Sequence, residues 1–349
     1  MDTLTLPRPD DWHLHLRDGA LMQAVAPQAA ATFSRAIIMP NLQPPVTTVA
    51  EAAAYRQRIL AALPAGSTFE PLMTLYLTDN TPPEEIQRAA ASGFVHGVKL
   101  YPAGATTHSD AGVTDLLLCY DTLAAMEEHR LPLLIHGERT DPELDIFERE
   151  TAFIDDILLP LLERHPRLKV VLEHVTTAVG AELITGDDPR LAGTLTPQHL
   201  LYSRNDLLVG GLRPHAYCMP ILKREADREA LLEAATSGHP RVFLGTDSAP
   251  HPRSAKEAAC CAAGCYSAPI ALALYAEAFE AAGALERLEA FASRNGPAFY
   301  GLPVNSERIT LERVPQEVPP SYPGGEEPVI PLRAGERLSW RIRPAEQSP

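Results

Sequence analysis

Residues 131–136 read LPLLIH and residues 168–174 read LKVVLEH. Each is a short apolar run that ends on a histidine. Runs of this length suit strands buried on both faces, as in a parallel sheet covered by helices. Others recur at 36–40 (AIIMP), 72–77 (LMTLYL), 98–101 (VKLY), 193–196 (GTLT) and 242–246 (VFLGT). The first strand is read at 3–6 and then 11–15. Helical stretches fit between them. Thr48 with Glu51, and Thr81 with Glu84, read as capping boxes, the second with proline in its first turn. Residues 224–236 form another helix, closed by Gly238. Strand and helix alternating about eight times predict an α/β fold, a (β/α)8 TIM-type barrel. A doubly wound open sheet competes, but no GxGxxG follows any strand. After Gly301 the chain turns proline-rich and helical periodicity stops. The expected division is a barrel over 1–301 and a C-terminal extension over 302–349 packed on it, with short strands near 309–314 and 338–342.

The chain has 349 residues, 45% hydrophobic and 21% charged, which excludes a disordered or fibrous protein. At this length roughly 75 per cent of the unfolded surface can be buried. Thirty basic against 45 acidic side chains give a net charge of −15, which argues against a general nucleic-acid surface. A small anionic substrate remains open, with local counter-charges. Apolar runs are too short for a membrane span. The start, MDTLTLPRPDDW, does not read as a signal peptide. Five cysteines, three of them at 260, 261 and 265, do not make a disulfide framework and suit a reducing cytoplasm.

Residues 11–19 read DWHLHLRDG. On a strand, His13 and His15 project from one face. At a strand's C-terminal end that face opens into the barrel mouth, where sites of this architecture lie. Two imidazoles there can take one metal ion; alone, the pair also fits ordinary polar loop residues. His136 and His174 end their runs, Lys99 sits in VHGVKLYP and Asp247 ends RVFLGTD. One βα unit takes roughly 30 residues or more. Lys99 to His136 and His136 to His174 are therefore one unit each, and His174 to Asp247 two. All these residues fall at strand tips on one rim, which points to a metal centre. Lys99 fits in two ways that spacing does not separate. One is a salt bridge to a barrel carboxylate. The other is a desolvated amine that carbon dioxide converts to a carbamate able to bridge two metals. Cys260, Cys261 and Cys265 lack zinc-site spacing and read as buried small residues; His199 and His215 read as structural.

HxH on the first strand, a lysine on the fourth, histidines on the fifth and sixth and an aspartate on the eighth resemble the amidohydrolase superfamily. Within it, WHLHLRDG, MPNLQPPVTT, GVKLYPAGATTHS, LLIHGE, LEHVTT, VGGLRPHAYCMPILK and FLGTDSAPH are similar to the shorter, monofunctional dihydroorotase family. The similarity runs from about residue 6 to about residue 301, and more loosely beyond. It implies reversible cyclisation of N-carbamoyl-L-aspartate to L-dihydroorotate plus water, in de novo pyrimidine (UMP) biosynthesis. It implies two zinc ions per chain, one on His13, His15 and Asp247, the other on His136 and His174. Lys99, as N6-carboxylysine, would bridge them together with a hydroxide, and Asp247 would be the acid/base. Arg17, Asn41 and His251 would bind the substrate carboxylate. Thr106 and Thr107 would lie on a loop closing over substrate, and Met219 and Ala263 would offer backbone groups to the ring edge. A cytoplasmic homodimer is implied as well.

The residues themselves also favour Arg17. It shares the strand-face direction of His15 if the strand persists, and its planar fork suits a carboxylate. The plainer roles are a salt bridge to Asp18 for Arg17, a turn residue for Asn41, and a loop flank for His251. The alternative enzymes are a hydantoinase, dihydropyrimidinase or allantoinase, which need not bind a substrate carboxylate. A non-catalytic scaffold would be expected to lack metal ligands, and none is missing.

Overall fold

The computed structural model describes residues 2–343. Eight parallel strands form one sheet in sequence order: β2 (Asp10–Leu14), β3 (Arg35–Ile38), β4 (Glu70–Tyr76), β5 (Val95–Leu100), β6 (Leu133–His136), β7 (Val170–Glu173), β8 (Leu191–Leu195) and β9 (Val242–Leu244). A parallel bridge from Leu14 to Ser248 brings the chain after β9 back to the end of β2. The Asp247 amide donates to His13 O at 2.9 Å. Asp11 adds a side-chain rivet, accepting from Thr246 N at 2.8 Å and from Thr246 Oγ1 at 2.5 Å. The strands thus close into the expected barrel.

One apolar cluster fills the ring: Trp12, Ile37, Leu72, Leu134, Val171, Ala192 and Phe243, one from each of seven strands, with Phe299 beneath. β5 contributes Gly97 instead, where an added Cβ would stand 3.0 Å from Leu134. Strand alternation then places the next inward positions two residues on, at Lys99, His136, Glu173, Thr194 and Gly245. The polar layer therefore stands directly on the apolar one.

The capping box of Thr48 and Glu51 starts the helix Val49–Ala62 as read. The one assigned to Thr81 is corrected. That helix runs Pro83–Ala91 from Pro82 with no side-chain cap. Thr81 Oγ1 instead accepts from Thr78 N at 2.9 Å, closing the preceding turn.

β1 (Thr3–Pro7) is not a barrel strand. It pairs antiparallel with β10 (Arg308–Glu312), from Thr3 opposite Glu312 to Pro7 opposite Arg308. Beyond β10 lie β11 (Gln316–Glu317), β12 (Arg337–Leu338) and β13 (Arg341–Ile342). The extension returns to the barrel helices, where buried Trp340 donates from Nε1 to Glu280 at 3.1 Å. Residues 344–349 of the predicted extension lie outside the described residues. Cys265 is buried as read, but Cys260 is exposed and Cys261 half-buried, because the segment around them runs over the surface; all five cysteines are free.

Candidate active site

His13, His15 and Asp247 converge at the barrel mouth. The Nε2 atoms of the two histidines stand 3.2 Å apart. Asp247 Oδ1 lies 3.3 Å from the first and 3.1 Å from the second. Nitrogen and oxygen ligands at 2.0–2.1 Å around one tetrahedral ion stand roughly 3.3 Å from each other. The triangle therefore has the size of one face of such a coordination shell. Asn41 Oδ1 lies 2.9 Å from His15 Nδ1, the contact that leaves Nε2 free as a ligand. His13 Nδ1 lies 3.1 Å from Glu173 Oε1.

The charges agree with this use. Burial pushes the Asp247 carboxyl up, yet His13 and His15 hold it well below the usual carboxylate range. Burial lowers His13, but Glu173 and Asp247 outweigh it and push the imidazole up to about 9. His15 is lowered to about 3, mainly by burial. A dication would take the place of the proton on His13.

His136 and His174 face the same space, their ring centroids 4.8 Å apart, and His174 lies 4.9 Å from His13. The buried His174 Nδ1 has no hydrogen-bond partner. His136 Nε2 meets Glu138 Oε2 at 2.8 Å. Lys99, fully buried, forms an ion pair with Glu173 below the histidines. Of its two readings, the salt bridge to a barrel carboxylate is the contact present. Burial lowers its pKa more than Glu173 raises it. A donor triangle of metal-site size and a buried imidazole nitrogen without a partner, His174 Nδ1, fit a metal centre.

Arg17 corrects a premise. Its strand ends at Leu14, and the residue sits at φ 61° in the left-handed region. The turn still delivers the guanidinium to the pocket, where Nη2 lies 2.9 Å from His251 Nε2 and Nε donates to Pro250 O at 3.2 Å. Asp18 is taken by Arg58 at 2.7 Å. Among the described residues Arg17 has no carboxylate partner within salt-bridge distance, although it is buried. Asn41 donates to Thr107 O at 3.0 Å, and Thr107 Oγ1 to Ala263 O at 3.4 Å, so the 106–107 loop is folded over the pocket. Thr106, Met219 and Ala263 line the same cleft as the histidines. His251 reaches it through Arg17 and Ala263 O, with burial and Arg17 lowering it to about 2. His199 is a structural pin, bonded to Thr196 Oγ1 at 2.7 Å and Pro220 O at 3.0 Å.

Sequence reasoning passed over Glu173, Glu138, Asp11 and Tyr101. Glu173 and Glu138 were visible as carboxylates beside the strand-tip histidines in LEH and HGE. Tyr101 lines the cleft with its buried hydroxyl unpartnered.

Residues 11–312 match the amidohydrolase family. A dihydroorotase from Halorhodospira halophila is 88% identical over 98% of this chain and 99% of its own length. Among solved structures, the dihydroorotase of Campylobacter jejuni is 39% identical, with a TM-score of 0.90 over 98% of this chain and 97% of that one. The dihydroorotase of Saccharomyces cerevisiae in complex with 5-fluoroorotic acid is 35% identical, with a TM-score of 0.90 over 98% and 99%. The chain belongs to the amidohydrolase family and, within it, to the dihydroorotases. Among the described residues no helix is long and apolar enough to cross a membrane.

Proposed function

We propose that this protein interconverts N-carbamoyl-L-aspartate and L-dihydroorotate in pyrimidine biosynthesis. The observation that carries the substrate class is Arg17, a buried guanidinium with no acid partner among the described residues, beside the histidine cluster. Such a charge calls for an anion, and a planar fork suits a carboxylate. Hydantoin-type substrates lack that group. The yeast relative's complex with 5-fluoroorotic acid supports the same reading.

His13, His15 and Asp247 would hold one zinc ion, and His136 and His174 a second. Lys99, as a carbamate, would add an oxygen ligand to this set. When bound, the metals supply Lewis-acid polarisation and a water acidic enough to attack a ring carbonyl at neutral pH. Asp247, ionised through its histidine contacts, accepts a proton at a carboxylate oxygen in ring opening and returns it to the departing ring nitrogen. In cyclisation it runs the reverse route. Arg17, Asn41 and His251 bind the carboxylate. Thr106 and Thr107 close the lid and exclude water, and Met219 and Ala263 meet the ring edge through their backbones. We place the enzyme in the cytoplasm, as a homodimer.

The test compares L-dihydroorotate with hydantoin at equal concentrations of metal-loaded enzyme. Turnover of dihydroorotate is expected, and turnover of hydantoin alone would reject the reading. An anomalous-scattering map at the zinc edge should show two peaks, and the electron-density map should extend beyond Lys99 Nζ toward both.

A further inference from the structure

Residues 257–260 are exposed, as are Arg253 and Ser254, yet Lys256 among them is buried to 3% exposure. It ends the short helix Arg253–Lys256, which follows β9 and His251. Its ammonium has three donors, and each meets a backbone carbonyl: Tyr217 O at 2.8 Å, Ala262 O at 2.7 Å and Gly264 O at 2.8 Å. Among the described residues no carboxylate lies within salt-bridge distance of it. The lysine therefore keeps its charge on these hydrogen bonds and on the face of the Tyr217 ring, 5.6 Å from its ammonium, with no acid beside it.

The three carbonyls flank the residues that face the pocket. Tyr217 lies two residues before Met219, and Ala262 and Gly264 bracket Ala263. Gly264 N also donates to Tyr217 O at 3.0 Å, so the two segments touch at one backbone bond besides the lysine. The helix is itself tied down from behind by the extension. Arg253 N donates to Pro328 O at 3.0 Å, and Ser254 Oγ to Glu327 at 2.9 Å. On the pocket side the clamped loop meets the lid and the carboxylate site, because Ala263 O is the acceptor for Thr107 and a neighbour of His251.

We propose that Lys256 is a positioning residue for substrate. Its ammonium holds the Met219 and Ala263 backbones in register across the pocket mouth, and its charge, which no neighbouring carboxylate among the described residues cancels, adds to that of Arg17 in drawing an anion in. This rests on the dihydroorotase reading given above. Lys256 touches none of the candidate metal ligands, so it acts on binding and leaves the metal centre alone. Burial lowers its pKa, in keeping with a cation held away from water.

The experiment uses the full-length, metal-loaded enzyme and two variants, Lys256→Met and Lys256→Arg. Methionine keeps the length and removes donors and charge. Arginine keeps the charge, but its flat fork cannot meet three converging carbonyls at once. For Lys256→Met, KM for L-dihydroorotate should rise at least about tenfold, the scale of one lost charge-assisted hydrogen bond, with kcat within about threefold. Lys256→Arg should fall between methionine and the parent. Metal content should not change, and amide hydrogen exchange should quicken at 217–219 and 262–264 together, not elsewhere. KM within about twofold of the parent in both variants overturns the proposal. So does a loss of kcat that tracks a loss of metal, since that marks a general structural role. If Lys256→Met does not fold, Lys256→Arg decides on the same criteria. A parent enzyme inert toward dihydroorotate would sink the functional reading instead, and the exchange comparison would then decide on Lys256 by itself.

Discussion

Arg17 carries its charge in a space that offers one carbonyl and two imidazoles, with His15 Nδ1 3.4 Å from Nη1. None of these neighbours neutralises it. Arg17→Ala should therefore lower kcat/KM for dihydroorotate by roughly 100-fold, mainly through KM, with metal content preserved. Metal analysis of the purified variant checks this, and a matching loss of metal would move Arg17 into the metal-holding framework. His199 makes a different demand. Burial lowers its imidazole to about 4. In the native state the ring stays neutral, while the unfolded chain takes up a proton below about pH 6.5. Stability from this group is whole above pH 6.5 and is lost as pH falls toward 4. Between pH 7 and pH 5 the loss is about 2 kcal/mol. Denaturant melts at the two pH values should show a smaller drop in His199→Gln, and equal drops would disprove the assignment.

At the scale of elements, the strand ends do the positioning. β2 shifts register between Asp11 and Leu14. That irregularity lets Trp12 face the apolar interior while His13, its immediate neighbour, also enters the barrel, which an even alternation forbids. At β7 the inward position is Glu173, two residues beyond Val171. His174 follows the strand at φ 42° and swings in through a left-handed turn; Asp247 does the same at φ 46° after β9. The run LKVVLEH announced a strand with chemistry at its tip, but not that two successive side chains would share the site. Periodicity ends where the strand ends, so the sequence was silent there. The close packing at the closure predicts a fragile point. A Cβ on Gly245 would stand 2.7 Å from Thr194 Cβ and 3.2 Å from His13 Cβ. Gly245→Ala should destabilise the fold by about 1–3 kcal/mol and displace His13, lowering metal retention. An unchanged melting temperature and metal content would show that the ring relaxes freely.

For the whole molecule, the metal centre and the fold are linked. Buried imidazoles and carboxylates from four strand ends are brought to one rim, and His13 holds a proton up to about pH 9 in the absence of an ion. Stripping metal with a chelator should lower the melting temperature, and zinc should restore it in proportion to the logarithm of its concentration. Binding should release protons near neutral pH. Calorimetry in buffers of different ionisation enthalpy measures that release, and a buffer-independent heat would contradict it. The sequence by itself determined the barrel and the candidate metal residues. Strand burial is written as apolar runs, and chemistry at a barrel mouth must fall at their ends. The role of β1 as a partner of the extension was decided only by tertiary structure. So were the placing of Glu173 beside Lys99, the freedom of Arg17 once Asp18 turns to Arg58, and the cradle around Lys256. Each joins groups distant along the chain or turned by irregular backbone, and no local pattern of residues encodes which side chain will find which partner across the rim.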